Sequence, residues 1–139
     1  MTKSIKSFNE LKKLLQENDK DLELYVYPNL KFGAVFWIPD EDSGIGGEGL
    51  HPWVIVSDYK PGDVVMTACL RTSSNLAENI KHGLYQPAGI IAGLDRDGVI
   101  RTVVRTPFEV QKFRDYRYVG QLPQEWVDKL KKHIGRGLY

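Results

Sequence analysis

A single cysteine among 139 residues excludes an intramolecular disulfide, and with only three scattered histidines the chain has no set of zinc ligands. No segment approaches the roughly 18 continuous apolar residues of a membrane span. The N-terminal "MTKSIKSFNELKK" lacks the unbroken apolar stretch of a secretory signal. An excess of one charge is missing too. Lys and Arg number 19 against 18 Asp and Glu, a net charge of +1, so bulk attraction to nucleic acid is weak and any such binding needs a local basic patch. These absences lead to the expectation of a cytoplasmic protein with no membrane partner, no metal and no cofactor. The glycine-rich "DEDSGIGGEG" does not alter that. It lacks the ligand spacing of an EF-hand, and its glycines do not lead into the helix of a dinucleotide-binding unit.

What is present is the composition of an ordinary globular domain, 42% hydrophobic and 27% charged, in a length that suits one domain with one sizeable core. "SFNELKKLLQEN" opens with Ser7 and carries Glu10 at capping-box spacing, with Phe8, Leu11, Leu14 and Leu15 on one face, which predicts a short helix from Ser7 to Asn18. "DLELYVYP" and "KFGAVFWIP" read as strands stopped by Pro28 and Pro39. "DEDSGIGGEG", with four glycines and four carboxylates, reads as a loop. Beyond it come the strands "WVIVSDY", "VVMTACL", "GIIAGL" and "VIRTVVRT", the last two joined through "DRDG" as a hairpin. "LPQEWVDKLKKHIG" has Pro123 at a helix start, Trp126, Val127, Leu130 and Ile134 at helical spacing and Gly135 as a stop. Strands this short and numerous predict a mainly β fold, a small bent barrel with helices packed outside it.

Chemistry concentrates at two predicted strand ends. "GLHPWVIVS" puts His51 at the mouth of a strand, next to a backbone fixed by Pro52 and behind a glycine-rich loop. Imidazole takes and gives a proton at neutral pH, which makes His51 the best candidate acid/base group. "RTSSN" follows the next strand, and Arg71 with Thr72 and Ser73 is the combination of guanidinium and hydroxyls that holds a phosphate. A turn of ordinary composition is the competing reading of "RTSSN". His51, Arg71 and Thr72 are the candidate catalytic residues, with Ser73, Trp53, His82, Arg101 and Arg105 as candidate substrate contacts. Lys81-His82 falls in a long connection suited to a lid or a solvated loop. "RTVVRT" and "KFRDYRY" interleave arginines with aromatics, either to track a single-stranded nucleic acid or simply with the aromatics packed inward. His133, among lysines near a helix end, reads as structural.

The segments "GLHPWVIVS", the strand ending in "RTSSN", "GVIRTVVRT" and "YVGQLPQEWVDKLKKHI", in that order, resemble the MazF/PemK family of toxin ribonucleases. The likeness runs from about Leu30 to about Leu138. It implies an SH3-like β-barrel with a C-terminal helix, here with an added N-terminal helix, so that residues 1–24 form an extension and 25–139 the barrel and its helix within one domain. It also implies a homodimer, metal-independent cleavage of single-stranded RNA and a cognate antitoxin whose segment occupies the RNA groove. His51 stands where the family commonly has arginine, Thr72 and Ser73 match its threonine and serine, and Val103 and Val104 stand where many members carry a polar or acidic residue. The alternative is the same barrel without cleavage, binding RNA or a protein target. With His51 at an exposed strand mouth, its replacement by glutamine is expected to cost little stability.

Overall fold

The computed structural model describes residues 26–45 and 47–136; the N-terminal helix expected over 7–18 and most of the strand expected over 21–28 lie outside them. Six strands, β1 (Ala34–Pro39), β2 (Leu50–Ile55), β3 (Val65–Thr72), β4 (Leu84–Gln86), β5 (Gly98–Glu109) and β6 (Arg117–Gln121), form one antiparallel sheet in the order β4-β5-β3-β2-β1-β6. The sheet curls into a half-barrel. Among the described residues its α-helices are the single turns α1 (Asp40–Ser43) and α2 (Leu76–Asn79) and the long C-terminal α3 (Gln124–Arg136).

Curling buries both faces of the central strands, which is why β2 reads as a continuous apolar run rather than an alternating one. On the inner face Phe36, Ile38, Trp53, Ile55, Met66 and Ala68 pack with Phe108, Phe113 and Tyr116. The aromatic members meet edge to face, Trp53 against Phe108 at 5.0 Å and Phe36 against Phe113 at 5.0 Å. On the outer face Val35, Val54, Cys69 and Ile100 pack against Leu122, Val127 and Leu130. Helix α3 therefore lies outside the half-barrel, as its spacing predicts. It starts where Trp126 and Val127 donate backbone N–H groups to the Pro123 carbonyl.

Three expectations change. "GIIAGL" is a turn, not a strand: Leu94 N–H donates to the Ile91 carbonyl and Gly89 N–H to the Leu94 carbonyl, and Ile91 and Leu94 reach the outer core from that turn. A short apolar run satisfies burial in either conformation, and the glycines at both ends favour the turn. Asp97-Gly98 consequently opens β5 instead of joining a hairpin, and the antiparallel neighbour on that edge of β5 is β4, with Gln86 opposite Gly98. Finally, the first four residues of "DEDSGIGGEG" form α1, closed by Gly44 in the left-handed region at φ 79°.

Candidate active site

Strand β1 pairs with β2 so that Ile38 lies opposite His51 and Pro39 opposite Leu50. The residues just after β1 must therefore stand beside those just before β2. Helix α1 fills that position. The Asp40 N–H donates to the Gly49 carbonyl at 2.9 Å, the Ser43 hydroxyl to the Asp40 carbonyl at 3.0 Å, and the Tyr116 hydroxyl to Asp42 Oδ2 at 2.9 Å. Asp40 is thereby buried, 6% exposed, with Oδ1 2.5 Å from His51 Nδ1. A Cβ on Gly49 would lie 2.9 Å from Asp40 Oδ2, so a glycine here leaves the carboxylate its space. An ionised carboxylate only accepts hydrogen bonds. Nδ1 therefore carries the ring proton, and Nε2 of the neutral imidazole is free to accept one.

This pairing revises the expectation about His51. Its side chain is 34% exposed, but it is the hydrogen-bond partner of a buried carboxylate, and its removal strands that charge.

The other half of the site comes from β3. Trp53 faces Leu70 across the β2–β3 ladder, which brings the start of β2 alongside the end of β3. Arg71 is 3% exposed, its Nε donating to Gln86 Oε1 at 2.8 Å and its Nη2 to the Arg96 carbonyl at 2.8 Å. A Cβ on Gly98 would lie 2.6 Å from Arg71 Nη1 and 2.7 Å from Cζ; only glycine leaves room for the guanidinium. Burial draws the Arg71 pKa down from its ordinary value, and the Asp97 carboxylate opposes that shift. Asp97 is itself held below the usual carboxylate range by the Ala88 N–H and then by the Tyr85 hydroxyl, the former at 2.7 Å.

His51, Arg71 and Ser73 line one open cavity of about 350 Å³, together with Trp37, Asp95 and Arg96. The remaining residues predicted from sequence are elsewhere. Thr72 is buried and its Oγ1 accepts the Ser74 N–H at 3.2 Å; of the two residues it is Ser73 that lines the cavity. Trp53 is in the inner core, 2% exposed, and offers no stacking face. His82 is exposed at the end of a 3₁₀ turn over Ile80–His82. Arg105 pairs in register with Cys69, on the far side of a bulge from the Arg71–Ile100 pair, and Arg101 is half-buried with an enclosed, unpartnered Nε; neither arginine lines the cavity with Arg71. In "KFRDYRY" Phe113 and Tyr116 are buried and Tyr118 is exposed, as are Lys112, Arg114 and Arg117, so two of the three aromatics pack inward. His133 has the structural place expected of it, its Nδ1 2.8 Å from Thr102 Oγ1.

Sequence reasoning missed Asp40, Trp37, Gln86 and Arg96. A signal for Asp40 was present: two apolar runs joined by ten residues are adjacent antiparallel strands in most sheets, and the first residue after one then faces the residue before the next. Among the described residues no three His, Cys, Asp or Glu side chains converge to hold a metal ion.

No family model and no curated protein matches the chain by sequence. Solved structures do match it. The MazE–MazF complex from Deinococcus radiodurans, form II, superposes with a TM-score of 0.58 at 19% identity, over 78% of this chain and 93% of that one. MazF from the same organism, form I, gives 0.57 at 19% identity, over 78% and 94%. The fold is MazF-like. Identity this low establishes the shared fold and leaves the chemistry to be argued from this chain's own residues. In this MazF-like half-barrel the cavity lies at the start of β2 and the end of β3, near where α1 folds back.

Proposed function

We propose that the protein is an endoribonuclease of the toxin–antitoxin type, cleaving single-stranded RNA without a metal. The observation that carries this reading is one cavity lined by His51, whose Nδ1 meets a buried carboxylate, together with the buried Arg71 and with Ser73. In this reaction His51 Nε2 takes the proton of a ribose 2′-hydroxyl. The 2′-oxygen attacks the adjacent phosphorus, the bond to the 5′-oxygen breaks, and that oxygen takes up a proton from solvent while His51 later returns its own. Arg71, with Ser73, stabilises the charge that builds on the phosphoryl oxygens. Because Gln86 and the Arg96 carbonyl hold the guanidinium in place before substrate arrives, little reorganisation is left for the reaction itself. We assign the antitoxin an acidic segment that competes with RNA for this cavity, and the active form is a homodimer in the cytoplasm.

A second reading, binding without cleavage, is favoured by Val103 and Val104, 59% and 44% exposed in mid-strand on β5, an apolar pair suited to a protein contact. Incubation of the purified protein with single-stranded RNA in excess chelator separates the two. Cleavage leaving a 2′,3′-cyclic phosphate, lost in His51→Ala and Arg71→Ala, supports the ribonuclease; binding with no product in any condition supports the second reading.

A further inference from the structure

The cavity at His51 is not the only hollow that Trp37 lines. A second hollow, of about 330 Å³, is lined by Trp37, Pro39, Leu50, Asp115 and Arg117; Trp37 and Leu50 belong to both hollows. The strand register explains the alignment. Trp37 sits opposite Pro52 on β2 and opposite Arg117 on β6, so these three residues form one cross-strand row on the outer face, running from the His51 cavity to the sheet's edge strand. Two strand steps span roughly 10 Å. Trp37 is half-buried, with its far side packed on the outer core, and Leu50 is 56% exposed. The hollow thus has an apolar wall with an exposed guanidinium at one end and a carboxylate beside it. This is the combination a nucleotide needs: a face for the base, a cation for the phosphate and an acceptor for an amino group.

We propose that this second hollow is a binding subsite for the nucleotide next to the scissile phosphate, its base stacked on Trp37, its phosphate on Arg117 and an exocyclic amino group donated to Asp115. The proposal rests on the ribonuclease reading of the first cavity. Adenine, cytosine and guanine carry such an amino group and uracil does not, so the subsite selects against uridine at this position.

The test uses short RNAs made uncleavable by 2′-O-methylation and does not depend on turnover. A dinucleotide spanning only the first cavity is compared with trinucleotides extended by adenosine or by uridine at either end, with binding followed through the Trp37 indole N–H resonance and by calorimetry. At the end that enters the subsite, adenosine should tighten binding by about 5- to 150-fold, the worth of one stacked base. Trp37→Ala should abolish the gain and Trp37→Phe should keep part of it, which separates stacking from damage to the core. Asp115→Asn should erase the difference between adenosine and uridine. Equal binding of dinucleotide and trinucleotides, or a gain that survives Trp37→Ala, overturns the subsite while leaving the ribonuclease reading in place. No binding by any oligonucleotide overturns both.

Discussion

The two partners of the His51–Asp40 pair are not equivalent, and substituting them one at a time should reveal it. Asp40→Ala leaves an imidazole that is one-third exposed and finds water for Nδ1; the loss is one charge-assisted hydrogen bond, about 1.5 to 3 kcal/mol, and because water replaces the partner we expect the lower end, about 1.5 kcal/mol. His51→Ala leaves a carboxylate buried with no partner. Breaking a buried pair from that side costs about 3 to 5 kcal/mol, and because this pair borders an open cavity we expect the lower end, about 3 kcal/mol. For a domain of this size each kcal/mol is worth roughly 3 to 4 °C of melting temperature. His51→Ala should therefore melt about 10 °C below the parent and Asp40→Ala about 5 °C below it. The double variant should melt above the sum of the single losses, since removing both leaves no stranded charge. Cleavage follows a different order. On the proposed mechanism, loss of His51 removes the base and should slow cleavage by about a hundred- to ten-thousandfold. Asp40 touches no substrate and acts by holding the ring, so Asp40→Ala should lower kcat with little change in KM. It should also shift the neutral ring toward the tautomer protonated on Nε2, visible in the nitrogen resonances of His51. Asp40→Asn, whose amide oxygen still accepts from Nδ1, should recover part of the rate. Equal melting temperatures for the two alanine variants, or an Asp40→Ala protein with the parent's rate and tautomer, would refute the reasoning.

Other expectations follow from the same packing. Gly98→Ala drives a Cβ into the Arg71 guanidinium and should cost about 1 to 3 kcal/mol as overpacking, with a fall in RNA affinity that Gly135→Ala, a substitution in α3 with no atom near its Cβ, does not share. Burial pushes the Cys69 thiol up to about 11, so at pH 9 it should react with a disulfide reagent only after denaturant is added. Asp97, whose folded-state pKa lies below its ordinary 3.8, contributes stability that is present above that ordinary value and is lost as pH falls through the lower, folded one. In urea titrations Asp97→Asn should accordingly be less stable than the parent at neutral pH and equal to it once both are acidified.

The parts of this protein legible in its sequence are those governed by neighbours along the chain. The strands β1, β2, β3 and β5 announce themselves as apolar, β-branched runs bounded by proline, glycine and polar clusters, and α3 by its 3.6-residue spacing and the proline before it. The candidate site was half visible for the same reason: His51 and Arg71-Thr72-Ser73 stand at the ends of successive strands, and successive strands pair. What depends on the direction of a side chain or on a distant segment was not visible. His51 and Trp53 are two apart on β2, yet the core encloses Trp53 and runs out at the strand's first residues, where α1 brings Asp40 up to the ring. Thr72 and Ser73 have nearly the same chemistry, and only the backbone at the end of β3 decides that Ser73 lines the cavity while Thr72 caps the turn. Gln86, 15 residues from Arg71 along the chain, becomes its partner because β4 and β3 flank the same strand, β5. Local sequence set the elements through their periodicity; the choice of which polar groups meet was made by strand order and by where the curled sheet leaves its core open, and neither is a property of any short stretch of residues.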